Sequence, residues 1–270
     1  MQIEALTPHV GALIHNVDLV NCNDRTFEAV YHAWLTHQVI FFRDQTFSPQ
    51  QHLTLAARFG ELEPVHPFFP HVGQVPQVSI IETVKGKPPL ESFWHTDLTW
   101  RQQPPKASLL HAQHVPNCGG DTLWCSMTAV FRDLSEQDKI LLRHLSAMHA
   151  LFAFDGIKLS EITESWQKDV LAVSATNPPV SHPVITRHPD TGEEILFINE
   201  QFTRYIIGMK RDDSNALLAK LFAMARMPKY QVRFKWQPNS LAIWDNRCTQ
   251  HYAEIDYADH PRKLHRVTVV

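Results

Sequence analysis

The chain has no stretch long and apolar enough to span a bilayer, and its start, MQIEALTPHVGALIHNVDL, lacks the charged segment and apolar run of a signal peptide. Both absences predict a protein that stays in the cytoplasm where it is made. Cysteine is sparse: Cys22, Cys118, Cys125 and Cys248 show no C-x-x-C spacing and are too few for a disulfide framework, so reduced, buried thiols are expected. No run of Lys and Arg occurs outside the tail. With a net charge of −3, this excludes a nucleic-acid partner or an anionic membrane surface. An anionic ligand must therefore be caught locally. Internal repeats and low-complexity tracts are also missing. What remains is a 270-residue chain, 44% apolar and 20% charged, read as a single catalytic domain over 1–270 with insertions around 61–94 and 150–180.

Phe27, Val30, Tyr31, Trp34 and Leu35 recur at helical spacing and predict a helix from Thr26 to His37, capped by Asp24 or Thr26, before VIFFRD as a buried strand. Ser48 and Pro49 open a second helix that Gly60 ends. Met127 to His149 reads as one long helix with Leu134, Ile140, Leu141 and Leu145 facing inward. ASLLHAQHV and GGDTLWCS read as adjacent antiparallel strands, PVITRHPDTGEEILFIN as a hairpin, Asn215 to Met227 as a helix, and YQVRFKWQPNSLAIWD as two strands around a Pro-Asn-Ser turn. Short strands with inserted helices predict a mainly β fold with flanking helices. Its core is expected to be a distorted double-stranded β-helix (jelly roll, cupin-like) with a metal site at its open mouth.

Histidine is abundant, at seventeen. In FWHTDLTW, His95 and Asp97 stand two apart, so on an extended chain both point the same way while Thr96 points away. His251 near the C-terminus supplies a second imidazole. Two imidazoles and a carboxylate form the facial triad of mononuclear iron(II) sites, which leaves positions open for oxygen and a bidentate co-substrate. The spacing alone is weak, since about one such His-x-Asp pair is expected by chance. A second, His188-Pro-Asp190, lies in the turn HPDTG, where solvated side chains are expected. Arg262 and Arg266, four apart on the last strand, share a face and suit one cavity. The bland alternative is a solvated tail strand, on which each ion pair is worth at most about 1 kcal/mol.

The ordered blocks GALIHNVDL, HQVIFFRDQ, RFGELEPVHP, WHTDLTW, GGDTLW, LFINEQFT, WDNRCTQHYA and HRVTV cover nearly the whole chain. On them the sequence resembles the taurine dioxygenase family of iron(II)- and 2-oxoglutarate-dependent oxygenases. The resemblance implies Fe(2+) on His95, Asp97 and His251, and 2-oxoglutarate held by Arg262 with Thr122. It implies O2 as the other co-substrate, a small anionic organic substrate, and a homo-oligomer, dimer or tetramer. The implied reaction hydroxylates the carbon beside the anionic group of a sulfonate such as taurine, giving aldehyde, sulfite, succinate and CO2. A carboxylate at Asp97 argues for hydroxylation over halogenation. His66, Phe202 and Arg266 fall on substrate-contacting positions. Phe69, Glu91, Phe154 and Asp155 fall on others whose residue type differs, which keeps an alkyl sulfate ester or a small carboxylate or amino acid open. A zinc-dependent hydrolase or isomerase, or a non-catalytic β-barrel protein, has no use for a deep carboxylate clamp.

Overall fold

Alternation with period two decides the architecture. In VIFF, Ile40 and Phe42 enter one buried cluster while Val39 and Phe41 enter another. In LAIWD, Leu241 and Ile243 part from Ala242 and Trp244 in the same way. Strands buried on both faces belong mid-sheet, and in the computed structural model, which describes residues 1–83, 93–151, 171–257 and 260–270, these two are neighbours.

In chain order the strands are β1 (Gln2–Ala5), β2 (Ala12–His15), β3 (Val39–Phe42), β4 (His71–Val72), β5 (Val75–Thr83), β6 (Ala107–His114), β7 (Thr122–Ser126) and β8 (Ser146–His149). They continue as β9 (Val180–Pro183), β10 (Ile185–Arg187), β11 (Glu194–Leu196), β12 (Thr203–Ile206), β13 (Gln231–Phe234), β14 (Leu241–Asp245), β15 (Thr249–Ala253) and β16 (Arg262–Val269). The larger sheet runs β1-β2-β3-β14-β6-β16-β5-β4, and a three-stranded sheet, β13-β7-β15, faces it. Between the two, Phe41 of the larger sheet stacks on Phe234 at 4.1 Å and meets Trp124 edge-on at 5.3 Å. This is the expected jelly-roll core.

Helix α1 (Asp24–His37) and helix α2 (Pro49–Ala57) cover the outer face of the larger sheet, where Trp34 packs edge-on against Phe59 at 5.4 Å. A capping box of Ser48 and Gln51 starts α2 as its sequence predicts. The cap of α1 is Asn23, whose side chain accepts from the Thr26 amide, and not Asp24 or Thr26. Helices α3 (Met127–Arg132), α4 (Glu136–Leu142) and α5 (Arg211–Ala225) follow; Val130, Leu218 and Leu221 join Cys125 in a core behind the smaller sheet. Among the described residues no helix is long and apolar enough to cross a membrane, and all four cysteines are free. Cys125 and Cys248 are buried as expected, whereas Cys118 is exposed.

Two readings of the sequence are corrected. The single helix from Met127 to His149 is α3, α4 and then β8, because Ser135 caps a new helix by accepting from the Asp138 amide, and Ala147 and His149 turn inward on a strand. Ile140 and Leu141, expected inside, are 60% and 48% exposed. β6 and β7 are not paired: positive φ at Gly119 and Gly120 turns the chain from the larger sheet to the smaller. The presumed insertion at 61–94 contributes β4 and β5 to the larger sheet, with 84–92 outside the described residues. Of the presumed insertion at 150–180, residues 152–170 lie outside them too.

Candidate metal and co-substrate site

His95 and His251 are held side by side by their own backbones: each amide donates to the other's carbonyl, at 3.0 and 2.8 Å. The rings lie 4.1 Å apart. Asp97 sits in the turn just beyond, and its Oδ1 is 3.7 Å from His95 Nε2 and 3.8 Å from His251 Nε2. The three side chains are buried, with potential ligand atoms within 4.8 Å of one another. Thr96 points away, as expected, and donates to the Thr249 carbonyl at 2.8 Å. His95 Nδ1–H donates to the Phe93 carbonyl, which fixes the tautomer with the Nε2 lone pair facing Asp97. Burial and the neighbouring His95 pull His251 down to about 3, so its ring is neutral. Burial alone would raise Asp97, but Arg266, His251, His95 and His66 outweigh it and hold the carboxyl well below its ordinary range. Two imidazoles and one carboxylate are a donor set that fits a divalent metal of the iron class.

Asn246 holds the carboxylate's backbone. It accepts from the Asp97 amide at 2.9 Å and donates to the Asp97 and Pro105 carbonyls at 3.1 and 3.0 Å. Ser108 donates to Asp97 Oδ2 at 3.2 Å. Sequence reasoning missed both residues. The one available signal was a carboxamide directly after the apolar strand LAIWD.

Arg262 and Arg266 alternate inward on β16 with Leu264 between them, and both are buried. Neither lies on a solvated tail. Arg266 approaches Asp97 Oδ1 at 3.4 Å and lies over the Phe69 ring at 5.0 Å. Arg262 Nε donates to the Gly120 carbonyl at 3.1 Å and its Nη2 to Thr122 Oγ1 at 3.4 Å. A Cβ on Gly120 would stand 3.1 Å from Tyr257 and 3.2 Å from Arg262, so only glycine lets the turn close on the guanidinium. Thr122 Oγ1 already accepts from Trp236 Nε1 at 2.9 Å. Among the described residues no carboxylate pairs with Arg262, and burial pulls it from its ordinary value to about 10. A buried cation without an anion fits the missing carboxylate of a co-substrate.

The cavity beside the triad, about 460 Å³ of space partly open to solvent, is lined by Arg266, His66, Phe69 and Phe202, all anticipated, and by Phe68, Leu98, Trp100, Leu151 and Gln201, which were not. Burial and then Arg266 bring His66 down to about 3, and its Nδ1 accepts from the Phe68 and Phe69 amides. His66 therefore presents a neutral Nε2–H donor. Glu91, Phe154 and Asp155 lie outside the described residues.

The His188-Pro-Asp190 expectation needs correction. The turn exists between β10 and β11, and Asp190 reaches Arg247 at 2.7 Å, but His188 is buried. Its Nδ1 accepts from the Asp190 and Thr191 amides, and its Nε2–H donates to Asp245 Oδ2 at 2.9 Å. With Cys248 it forms the second group of potential metal ligands among the described residues. There the carboxylate is already gripped twice by Arg247, and burial, then Asp245, keeps the thiol protonated, so the cluster is a strut under the β14–β15 turn.

The chain is similar to an alkylsulfatase of Acinetobacter baylyi, 33% identical over 100% of this chain and 84% of that protein. An alpha-ketoglutarate-dependent sulfate ester dioxygenase of Pseudomonas putida is also 33% identical, over 100% of this chain and 89% of that one. The solved structure of a taurine dioxygenase from Burkholderia xenovorans, 33% identical, superposes with a TM-score of 0.85 over 100% of this chain and 89% of that one. Residues 2–268 match the profile described as taurine catabolism dioxygenase TauD, TfdA family, and the chain belongs to that family.

Proposed function

We propose that the protein is an iron(II)- and 2-oxoglutarate-dependent dioxygenase that hydroxylates the carbon beside the anionic group of a small organic sulfate ester or sulfonate. The observation that carries this reading is a buried two-histidine, one-aspartate cluster with Arg266 3.4 Å from its carboxylate and, on the same strand, a buried Arg262 that has no carboxylate partner among the described residues. Bound iron supplies oxygen activation coupled to oxidative decarboxylation of 2-oxoglutarate to succinate and CO2. His95, Asp97 and His251 would hold it, with Asn246 and Ser108 fixing the carboxylate. Arg262 offers its planar fork to the far carboxylate of 2-oxoglutarate, and Thr122 keeps a hydroxyl proton to donate beside it.

Arg266 anchors the substrate's anion, and His66 adds a neutral hydrogen bond, so the corner carries one positive charge and not the two expected if His66 were protonated. Phe68, Phe69, Leu98, Trp100, Leu151 and Phe202 make most of the remaining wall apolar. An apolar wall suits an alkyl chain and gives a small zwitterion little to bind. Hydroxylation beside a sulfate ester oxygen gives a product that collapses to aldehyde and sulfate; beside a sulfonate sulfur it gives aldehyde and sulfite.

The test is succinate formation with a medium-chain alkyl sulfate, the matching alkanesulfonate, taurine and the matching carboxylate. The alkyl sulfate and alkanesulfonate are expected to outrun taurine. Activity confined to the carboxylate would remove sulfur chemistry from the reading, and a strong preference for taurine would defeat the apolar-wall argument.

A further inference from the structure

Gln201 lines the substrate cavity, is only 6% exposed, and its Oε1 has no hydrogen-bond partner. Neither end of its amide is bonded to a described residue. Other buried glutamines are anchored at one end at least: Gln38 donates to Thr128 at 2.6 Å, Gln45 to the Val17 carbonyl at 3.0 Å, and Gln250 to the Ile198 carbonyl at 2.7 Å. The backbone beneath Gln201 is fixed. Asn199 Oδ1 accepts from the Phe202 amide, the Asn199 carbonyl accepts from Thr203, and the Phe202 carbonyl accepts from Ala150. The amide is thus presented by a rigid turn, on the part of the lining shared with Leu151 and Phe202. Arg266 contacts Asp97 and Phe69 instead.

A buried amide unpaired in an otherwise apolar wall is unfavourable unless a ligand completes it, and a site built around such a group discriminates against ligands that leave it dry. Arg266 already offers the substrate's anion a counter-charge, and the one carboxylate among the lining residues, Asp97, belongs to the metal cluster and leaves a cationic tail without one, so a neutral polar group suits this amide best. We infer that Gln201 is a specificity-determining residue that hydrogen-bonds a neutral polar group, a hydroxyl or an ether or amide oxygen, carried on the tail of the substrate. The inference rests on the function proposed above and narrows it from plain alkyl chains to functionalised sulfate esters or sulfonates.

The experiment uses propyl to hexyl sulfates and their terminally hydroxylated counterparts. Binding is read anaerobically as the perturbation of the visible band of the iron(II)–2-oxoglutarate enzyme, and turnover as succinate. The wild type is expected to prefer at least one hydroxylated member over its plain counterpart by about tenfold or more. In Gln201→Leu that preference disappears, with the loss falling on the hydroxylated member, and Gln201→Asn restores part of it. An intact band in each variant reports an undisturbed metal site. Equal weakening of both members would make Gln201 a donor to the sulfur group, and an unchanged preference would leave its amide to water; either overturns the inference. If no sulfate perturbs the band of the wild type, the proposed function fails first, and visibly so, before any variant is compared.

Discussion

Replacing Arg262 with methionine removes a buried charge that no carboxylate compensates, so the unliganded variant should not behave like an ordinary buried-arginine mutant. Burial lowers this guanidinium to about 10, so holding its charge inside costs about 3 kcal/mol. The side chain recovers part of that through its bonds to the Gly120 carbonyl and, at a long 3.4 Å, to Thr122, each worth about 1 kcal/mol at most. Thr122 keeps its bond from Trp236 in the variant. The two sides nearly cancel. Arg262→Met without 2-oxoglutarate is therefore expected within about 1 kcal/mol of the wild type, or above it. With 2-oxoglutarate at a hundred times its dissociation constant, the wild type should gain about 2.7 kcal/mol and the variant nearly nothing. Anaerobic urea unfolding with iron(II), with and without 2-oxoglutarate, measures both. A loss above about 3 kcal/mol in the unliganded variant, or equal stabilisation of both proteins by 2-oxoglutarate, would refute the assignment of Arg262 to an anion.

Asn246→Ala frees the backbone of Asp97 without touching a ligand atom, and should lower metal affinity by about 10- to 100-fold in competition with a chelator; unchanged affinity would make Asn246 mere filling. His188→Ala leaves Asp245 one donor short in the core and should cost about 2–3 kcal/mol in urea, whereas a loss under about 0.5 kcal/mol would mean the turn is solvated after all. Burial, then His182 and Arg204, hold His149 at about 3 against 6.5 for a free histidine. Its folded value is depressed, so the unfolded chain takes up the proton first: stability is full above pH 6.5 and falls as the pH drops toward 3. At pH 5 this ring costs about 2 kcal/mol, and His149→Gln should flatten the decline between pH 7 and 5; an unaltered slope would mean that His149 charges freely in the fold.

The candidate metal cluster was readable from its context and not from any one part: the His-x-Asp pair is weak by itself, and it gained weight from its place among ordered blocks that end in a histidine ahead of a strand with two arginines four apart. The backbone pairing that sets His95 against His251 has no sequence signature, since it joins positions far apart in the chain. His188 was misread because a Pro-Asp-Thr-Gly turn says where the chain reverses and not what packs beneath it; the distant Asp245 makes that position interior. The region after Met127 failed for a related reason. Leu134, Ile140, Leu141 and Leu145 have helical spacing, but Ser135 restarts the helix and β8 is drawn into a sheet by β9 and β12, strands that local periodicity does not see. His66 was found by position, while its neutrality depends on a burial that only the folded cavity provides.

The most direct test of the account is anaerobic titration of the metal-free protein with iron(II) and 2-oxoglutarate, followed in the visible range. The account predicts a weak charge-transfer band that needs both additions, is lost in Asp97→Ala, and in Arg262→Met appears only at much higher 2-oxoglutarate. A wild-type protein that gives no such band, or an Asp97→Ala variant that gives it unchanged, would contradict the central claim that His95, Asp97 and His251 hold the metal and Arg262 the co-substrate.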